Sequence, residues 1–171
     1  WAEGPVYFPA GDYVLWSDIP NNRVLQWAEG MGVRVCSHAA NNCNGNTRDG
    51  LGRRVTCEHL TRSVVRFEGD GRRTVLADRH GGRQLNSPND VVVASDGAVW
   101  FTDPSYGIMT DYEGKRSPLE QDGCFLDRID PHGGEVTAKI RTMKKPNGLA
   151  FSPDETVLYV ADSSRSHDDD G

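Results

Sequence analysis

An all-β fold, a β-propeller built from four-stranded blades, is the architecture that this sequence of 171 residues predicts. Short runs of Val, Tyr, Phe, Trp and Thr are bounded by Gly, Pro, Asn and Asp, as is typical of strands and turns, and helical periodicity is nearly absent. One longer pattern also recurs: a carboxylate or carboxamide residue, an apolar run, a turn, a second apolar run and an acid. The copies begin at Glu3, Asn44, Asn89 and Asn147, at spacings of 41, 45 and 58 residues, which is the range of propeller blades.

The first two blades are predicted over residues 3–36 and 44–77. In the first, Glu3-Gly4-Pro5 is a turn that leads into one apolar run, and a second run ends at Asp18. The second blade is a weaker copy that begins near Asn44 and ends its second run at Glu58. We expect four strands in each, at 6–8, 13–17, 23–27 and 33–36 and at 46–48, 54–57, 63–67 and 74–76.

The last two blades are predicted over residues 89–141 and 147–171. Ser95-Asp96-Gly97 in the third blade and Ser152-Pro153-Asp154 in the fourth are compact hairpin connections. The fourth blade offers two runs, at 149–151 and 157–161. The whole chain, 1–171, is therefore predicted as a single incomplete propeller domain. About three and a half blades leave a ring open, so we expect closure to require the remaining blades.

Equivalent positions of the repeat are predicted to form a metal site. The innermost strand of each blade lines the central channel, so the side chains of Glu3, Asn89 and Asn147 are expected to converge at the start of these strands. One carboxylate and two carboxamide oxygens are hard ligands that suit calcium or magnesium. The alternative is that each Asn only accommodates the turn before a strand. The repeated acids Asp18, Glu58, Asp103 and Asp162 end the second strands, where we expect them to accept hydrogen bonds from turn N–H groups.

Two further features are left open. The segment from Pro104 to Asp122 is longer than a hairpin needs, which favours either a wall of a substrate pocket or a tolerated surface insertion. The histidines share no phase with the repeat, and His59, directly after Glu58, is the hardest to dismiss as a ligand.

Composition excludes several classes of partner. The chain is 26% charged and 36% hydrophobic with a net charge of -6, and no basic stripe is present. This charge argues against binding to nucleic acid or to an anionic membrane surface. The sequence shows no signal-peptide pattern, and its four cysteines are interpreted as free thiols in a reducing compartment. A cytoplasmic location is expected, with a periplasmic or secreted one still open.

Several motifs resemble those of the SMP-30/gluconolactonase family. They are Glu3-Gly4-Pro5, Asn86-Ser87-Pro88-Asn89-Asp90, Phe101-Thr102-Asp103-Pro104-Ser105-Tyr106-Gly107 and Pro146-Asn147-Gly148-Leu149. The stretch Asn44-Gly45-Asn46-Thr47-Arg48-Asp49, followed by Thr56-Cys57-Glu58-His59, is similar to the bacterial gluconolactonase branch in particular.

This resemblance implies a six-bladed propeller that hydrolyses sugar lactones such as gluconolactone with one divalent cation. It implies Ca²⁺, with Mg²⁺, Zn²⁺ and Mn²⁺ as alternatives, held by Glu3, Asn89 and Asn147. The family's general-base Asp comes from a later blade and is expected beyond the end of this chain. Sugar hydroxyls need polar partners, for which the candidates are Asn44, Asn46, Arg48, Asn86 and Tyr106. The alternative functions are a calcium-dependent esterase or aryl-lactonase and a non-catalytic binding platform.

Overall fold

The computed structural model describes residues 1–166, and these form antiparallel sheets connected by short turns. The first sheet has four strands in sequence order, and each pairs with the next. Its strands are β1 (Ala2–Phe8), β2 (Tyr13–Asp18), β3 (Arg23–Ala28) and β4 (Gly32–His38). The second sheet repeats this order with β5 (Cys43–Arg48), β6 (Arg54–Glu58), β7 (Ser63–Phe67) and β8 (Arg73–Ala77).

A small hairpin separates these sheets from the rest of the chain. It consists of β9 (Arg79–His80) and β10 (Arg83–Gln84). The third four-stranded sheet follows, with β11 (Val91–Val93), β12 (Val99–Asp103), β13 (Phe125–Ile129) and β14 (Val136–Ile140). The last described sheet pairs β15 (Pro146–Phe151) with β16 (Leu158–Asp162), before a short 3₁₀ helix (Ser164–Ser166). Residues 167–171 of the predicted fourth blade lie outside the described residues.

The first strands of the sheets lie side by side. β1 contacts β5, β5 contacts β11, and β11 contacts β15, so the sheets succeed one another around a common line of inner strands. Each sheet extends outwards from this line in sequence order, which is the arrangement of propeller blades. The predicted fold class, an all-β partial propeller, is confirmed.

The apolar core lies between neighbouring sheets rather than within one. Val55 and Val64 of the second sheet pack with Val91 and Phe101 of the third, and all four side chains are almost fully buried. A second cluster places Cys43 of β5 against the first sheet. Burial of these faces holds the blades together, because apolar area removed from water is the main favourable term in folding.

The inner strands approach one another unusually closely where they begin. β1 has a register irregularity between Glu3 and Val6, and Gly4 there has φ +56°. A Cβ on Gly4 would collide with the Asn44 carbonyl of β5, and one on Gly45 would lie 2.7 Å from the carbonyl oxygen of Asn89. Glycine at both positions therefore lets three successive blades bring their first residues together.

One long connection completes the described chain. The segment from Pro104 to Asp122 contains one short helix, α1 (Tyr106–Met109), which the strand-and-turn pattern did not predict. None of the helices within residues 1–166 has the length and apolar character needed to span a bilayer.

Candidate metal and substrate site

A pocket of about 200 Å³ opens where the inner strands begin. Glu3 comes from β1, Asn89 precedes β11, and Asn147 lies in β15, so the three predicted ligands line one cavity. The complete lining consists of Trp1, Glu3, Ile19, Asn44, Asn89, Tyr106, Glu113 and Asn147. The repeat thus brings its first residues to the same place in space. That they hold a metal ion remains a prediction.

Buried hydrogen bonds between blades fix the backbone on which these side chains stand. The Ser17 hydroxyl at the end of β2 donates to the Asn44 carbonyl at 2.6 Å. At the equivalent position of β12, the Thr102 hydroxyl donates to the Asn147 carbonyl at 2.7 Å. The Asn89 carbonyl accepts from the Gly45 N–H at 2.7 Å. Each blade therefore positions the first residue of a neighbouring blade, so the site is a product of blade packing.

Asp90 ties the third blade to the fourth beside this pocket. Its carboxylate accepts hydrogen bonds from the N–H groups of Val91, at 2.9 Å, and Leu149, at 3.1 Å. Burial raises the pKa of Asp90 above its ordinary value, these two N–H donors oppose the rise, and the negative charge of Glu3 adds to it. With both oxygens engaged by backbone, Asp90 holds the strands and does not line the pocket.

The acids that end the second strands hold structure, as predicted, but through two kinds of partner. Asp103 accepts from the Asn86 N–H at 2.7 Å, and Asp162 accepts from the N–H groups of Lys144, Lys145 and Ser164 at 2.9–3.1 Å. Asp18 and Glu58 differ from this expectation, because each forms an ion pair with an arginine across the blade. These arginines are Arg23 and Arg73, both at 2.7 Å.

The segment from Pro104 to Asp122 lies on the side of the channel where the predicted ligands are. Tyr106 and Glu113 of this segment line the pocket, so of the two alternatives for this segment the structure supports a pocket wall. The Lys145 ammonium donates to the Ser105 hydroxyl at 2.6 Å and lies 5.7 Å from the centre of the Tyr106 ring, a cation–π contact. We call residues 104–122 the wall loop.

The residues predicted to bind substrate separate into three groups. Asn44 and Tyr106 line the pocket. Asn46 and Arg48 lie further along β5 and line a neighbouring cavity of about 520 Å³, which also contains Glu3. The Asn46 side-chain NH₂ group donates to the Gly4 carbonyl at 3.0 Å, so this group stabilises the contact between the first and second blades.

Asn86 does not reach the pocket, and its predicted role is corrected here. Its side chain is 0% exposed and donates to the carbonyls of Asp103, at 3.0 Å, and Gly123, at 2.9 Å. A substrate cannot reach a side chain with no exposed surface, although the buried Oδ1 of Asn86 has no hydrogen-bond partner within residues 1–166. The motif position instead anchors the two ends of the wall loop.

Three lining residues were not predicted. Trp1 and Ile19 supply the apolar part of the pocket, and Glu113 supplies a second carboxylate residue. Glu113 lies inside the segment that was predicted as a wall, so loop length was the available signal. Trp1 and Ile19 do not occupy equivalent positions of the repeat. They line the pocket because of how β1 and the turn after β2 pack, so the sequence pattern could not indicate them.

The donor set of the pocket fits a hard divalent cation. Within residues 1–166 no group of three His, Cys, Asp or Glu side chains could hold a metal ion, so a thiolate- or imidazole-rich site is not formed there. The pocket offers instead the Glu3 carboxylate with the carboxamides of Asn89 and Asn147. Oxygen donors of this kind suit Ca²⁺ or Mg²⁺ better than Zn²⁺.

Comparison with known proteins identifies similar chains. The sequence model of the SMP-30/Gluconolactonase/LRE-like region matches residues 1–167. A gluconolactonase from Zymomonas mobilis is 34% identical over 180 aligned positions, which cover 97% of this chain and 50% of that protein. The structure of a gluconolactonase from Xanthomonas campestris superposes with a TM-score of 0.91 at 41% identity, covering 95% of this chain and 55% of that one.

More distant structures share the fold. A calcium-binding regucalcin from Agrobacterium tumefaciens superposes with a TM-score of 0.70 at 19% identity, covering 95% of this chain and 50% of that one. The chain thus spans about half the length of the Zymomonas, Xanthomonas and Agrobacterium proteins.

Proposed function

The chain belongs to the SMP-30/gluconolactonase/LRE-like family, and from this premise we propose that the full-length protein hydrolyses sugar lactones with the help of one divalent cation. Glu3, Asn89 and Asn147 would hold the cation, and gluconolactone is the representative substrate. The premise rests on the match over residues 1–167 and on the 34% identity to the Zymomonas gluconolactonase.

The polarity of the pocket is the observation that carries this proposal. Besides the three proposed ligands, its walls present the carboxamide of Asn44, the Tyr106 side chain and Glu113, against the two apolar residues Trp1 and Ile19. A sugar lactone carries several hydroxyl groups, and each loses water on binding, so it needs donors and acceptors in the site. An aryl ester would instead require a predominantly apolar wall.

The charge balance of the proposed ligands suits acyl chemistry. A bound divalent cation would polarise the lactone carbonyl and stabilise negative charge on its oxygen. Glu3 brings one formal negative charge, whereas Asn89 and Asn147 bring none. The three residues therefore fix the position of the cation without cancelling its charge.

The remaining described residues orient the substrate and limit its access to water. The wall loop covers one side of the pocket with Tyr106 and Glu113, and Asn44 covers another. We assign no general base in residues 1–166: Asp90 and Asp103 accept backbone N–H groups, Glu3 is assigned to the cation, and Glu113 is assigned to the polar wall of the pocket. The base is expected in a part of the propeller outside these residues.

Lactone hydrolysis by the metal-free and calcium-loaded full-length protein tests this function. We expect the protein to accelerate gluconolactone hydrolysis above the spontaneous rate only after calcium is added, with the acid released followed by a pH indicator. Phenyl acetate and an unsubstituted aryl lactone serve as comparison substrates. Faster turnover of these aryl compounds than of gluconolactone would contradict the proposal and favour an esterase. No turnover of any of them, with calcium bound, would favour a binding platform.

A further inference from the structure

His59 is buried between the wall loop and the pocket. Its side chain is 0% exposed, directly after β6, and both ring nitrogens have partners. Nδ1 lies 2.9 Å from the Glu113 backbone carbonyl in the wall loop, and Nε2 lies 3.3 Å from Nδ2 of Asn44. The ring therefore connects the wall loop to a pocket-lining carboxamide.

These two contacts determine the tautomer of the ring. A carbonyl oxygen only accepts, so Nδ1 must carry the hydrogen that it donates to Glu113. In the neutral ring Nε2 is then an acceptor, and Asn44 must donate to it through its NH₂ group. A ring with hydrogens on both nitrogens is disfavoured because burial lowers the pKa of His59 to about 4.

The orientation of Asn44 follows from this assignment. Because its NH₂ group is directed at His59, the carboxamide oxygen must point the other way. Asn44 is 5% exposed and lines the pocket with Glu3, Asn89 and Asn147, and within residues 1–166 its Oδ1 accepts no hydrogen bond from protein. The Asn44 carbonyl is in addition held by Ser17, so both backbone and side chain are fixed.

We propose that His59 is a positioning residue that holds the Asn44 carboxamide with its oxygen facing the pocket, where it accepts a hydrogen bond from a substrate hydroxyl. The identity of the substrate rests on the proposed lactonase function, whereas the orientation of Asn44 does not. His59 does not touch the substrate. It acts through Asn44 and gives the site its selectivity for hydroxylated over unsubstituted lactones.

Packing of the wall loop makes His59 rigid. A Cβ on Gly107 would lie 2.5 Å from the ring carbon Cγ of His59, and one on Gly114 would lie 3.2 Å from its Cβ. The loop backbone therefore lies directly against the ring, at positions where only glycine fits. A positioning residue needs such support, because a side chain left free to rotate would not fix the carboxamide.

A double-mutant cycle on substrate binding tests this role. The variants His59→Phe, Asn44→Ala and the double variant are compared in the calcium-loaded full-length protein, using gluconolactone and δ-valerolactone, which has no hydroxyl groups. We expect each single variant to raise KM for gluconolactone about five- to tenfold, the loss of about one hydrogen bond, with kcat unchanged. KM for δ-valerolactone should stay constant, and the double variant should be no worse than Asn44→Ala alone.

Controls separate this effect from a loss of structure or of metal. Calorimetric calcium affinity should be unchanged in all three variants, and His132→Phe, on the exposed turn between β13 and β14, should leave both lactones unaffected. Additive effects of the two substitutions, or equal losses for the two lactones, would overturn the proposal. So would a loss of calcium affinity in Asn44→Ala, which would make Asn44 a metal ligand.

A measurement without substrate distinguishes failure of this inference from failure of the proposed function. In a ¹⁵N-labelled protein, the Asn44 side-chain NH₂ signal, assigned by its loss in Asn44→Ala, should exchange slowly with solvent. His59→Phe should make that exchange fast. Protection that persists in His59→Phe would refute the positioning role. If the wild-type protein shows slow exchange but hydrolyses neither lactone, the function is wrong while the orientation of Asn44 stands.

Discussion

Replacing Thr102 with Val removes one hydroxyl from the contact between the third and fourth blades. Thr102 is 0% exposed, and its Oγ1 donates to the Asn147 carbonyl at 2.7 Å and accepts from the Asp90 N–H at 3.1 Å. Val has nearly the same shape, so packing in β12 is preserved. The substitution leaves one half-buried N–H and one half-buried carbonyl without their partner, at a point that positions a proposed metal ligand.

The expected loss of stability follows from these two groups. Leaving a buried polar group unsatisfied costs about 1–3 kcal/mol. Asn147 and Asp90 are both half-buried, so each group can recover part of its hydrogen bonding from water and costs about 1 kcal/mol, the lower end of this range. We expect the free energy of unfolding to fall by about 2 kcal/mol, which lowers Tm by about 4–8 °C in a domain of this size. Calcium affinity should fall as well, because the backbone beneath Asn147 is released.

Thermal melts and calorimetric calcium titrations of Thr102→Val and Thr137→Val provide the assay. Thr137 is a matched control: it lies in β14, is half-buried, and its hydroxyl makes only a long contact of 3.5 Å to the Arg128 carbonyl. Thr137→Val should change neither quantity. The reasoning is refuted if Thr102→Val melts like the wild type and binds calcium with the same affinity.

Two further predictions concern pH and the wall loop. Burial raises the pKa of Asp127 from 3.8 to about 7, with its Oδ1 3.0 Å from His80 Nδ1. Between about pH 4 and 7 the folded state retains a proton that the unfolded chain loses, so Asp127 makes the free energy of unfolding fall as the pH rises through this range. Thermal melts across this range should show that the fall is absent in Asp127→Asn. Parallel curves of Tm against pH for the wild type and the variant would contradict this. Gly107→Ala should raise KM for gluconolactone because the added methyl group displaces His59, whereas Gly50→Ala, at an open position, should leave KM unchanged. Equal KM values for the two variants would contradict the packing argument.

The fold and the convergence of the pocket residues could be predicted from the sequence because both depend on which residues occupy equivalent positions of the repeat. Glu3 and Asn147 lie at the start of an inner strand and Asn89 lies just before one, and radial packing of equivalent strands brings such positions together. The wall loop was recognisable from its length alone, and its position beside the pocket follows from the strand that it leaves. Periodicity and spacing were therefore sufficient to predict the place of a residue when that place depends only on the strand at whose start the residue lies.

Residue roles that depend on burial and on the direction of a side chain could not be predicted from the repeat. Asn86 and Asn89 belong to one motif, yet one is buried against backbone carbonyls and the other lines the pocket. Arg48 lies on the predicted strand but too far along it to line the same cavity as Asn44. His59 shares no phase with the repeat, and its importance appears only when the wall loop is seen to fold back over it.

Calcium binding by Glu3→Gln, compared with Asp162→Asn, tests the central claim most directly. Glu3→Gln removes the one anionic ligand proposed in residues 1–166 while nearly preserving shape, so calorimetry on the full-length protein should show calcium affinity reduced at least about tenfold. Asp162→Asn perturbs a carboxylate that accepts three backbone N–H groups and does not line the pocket, so it should lower Tm and leave calcium affinity unchanged. Wild-type calcium affinity in Glu3→Gln would contradict the proposed metal site.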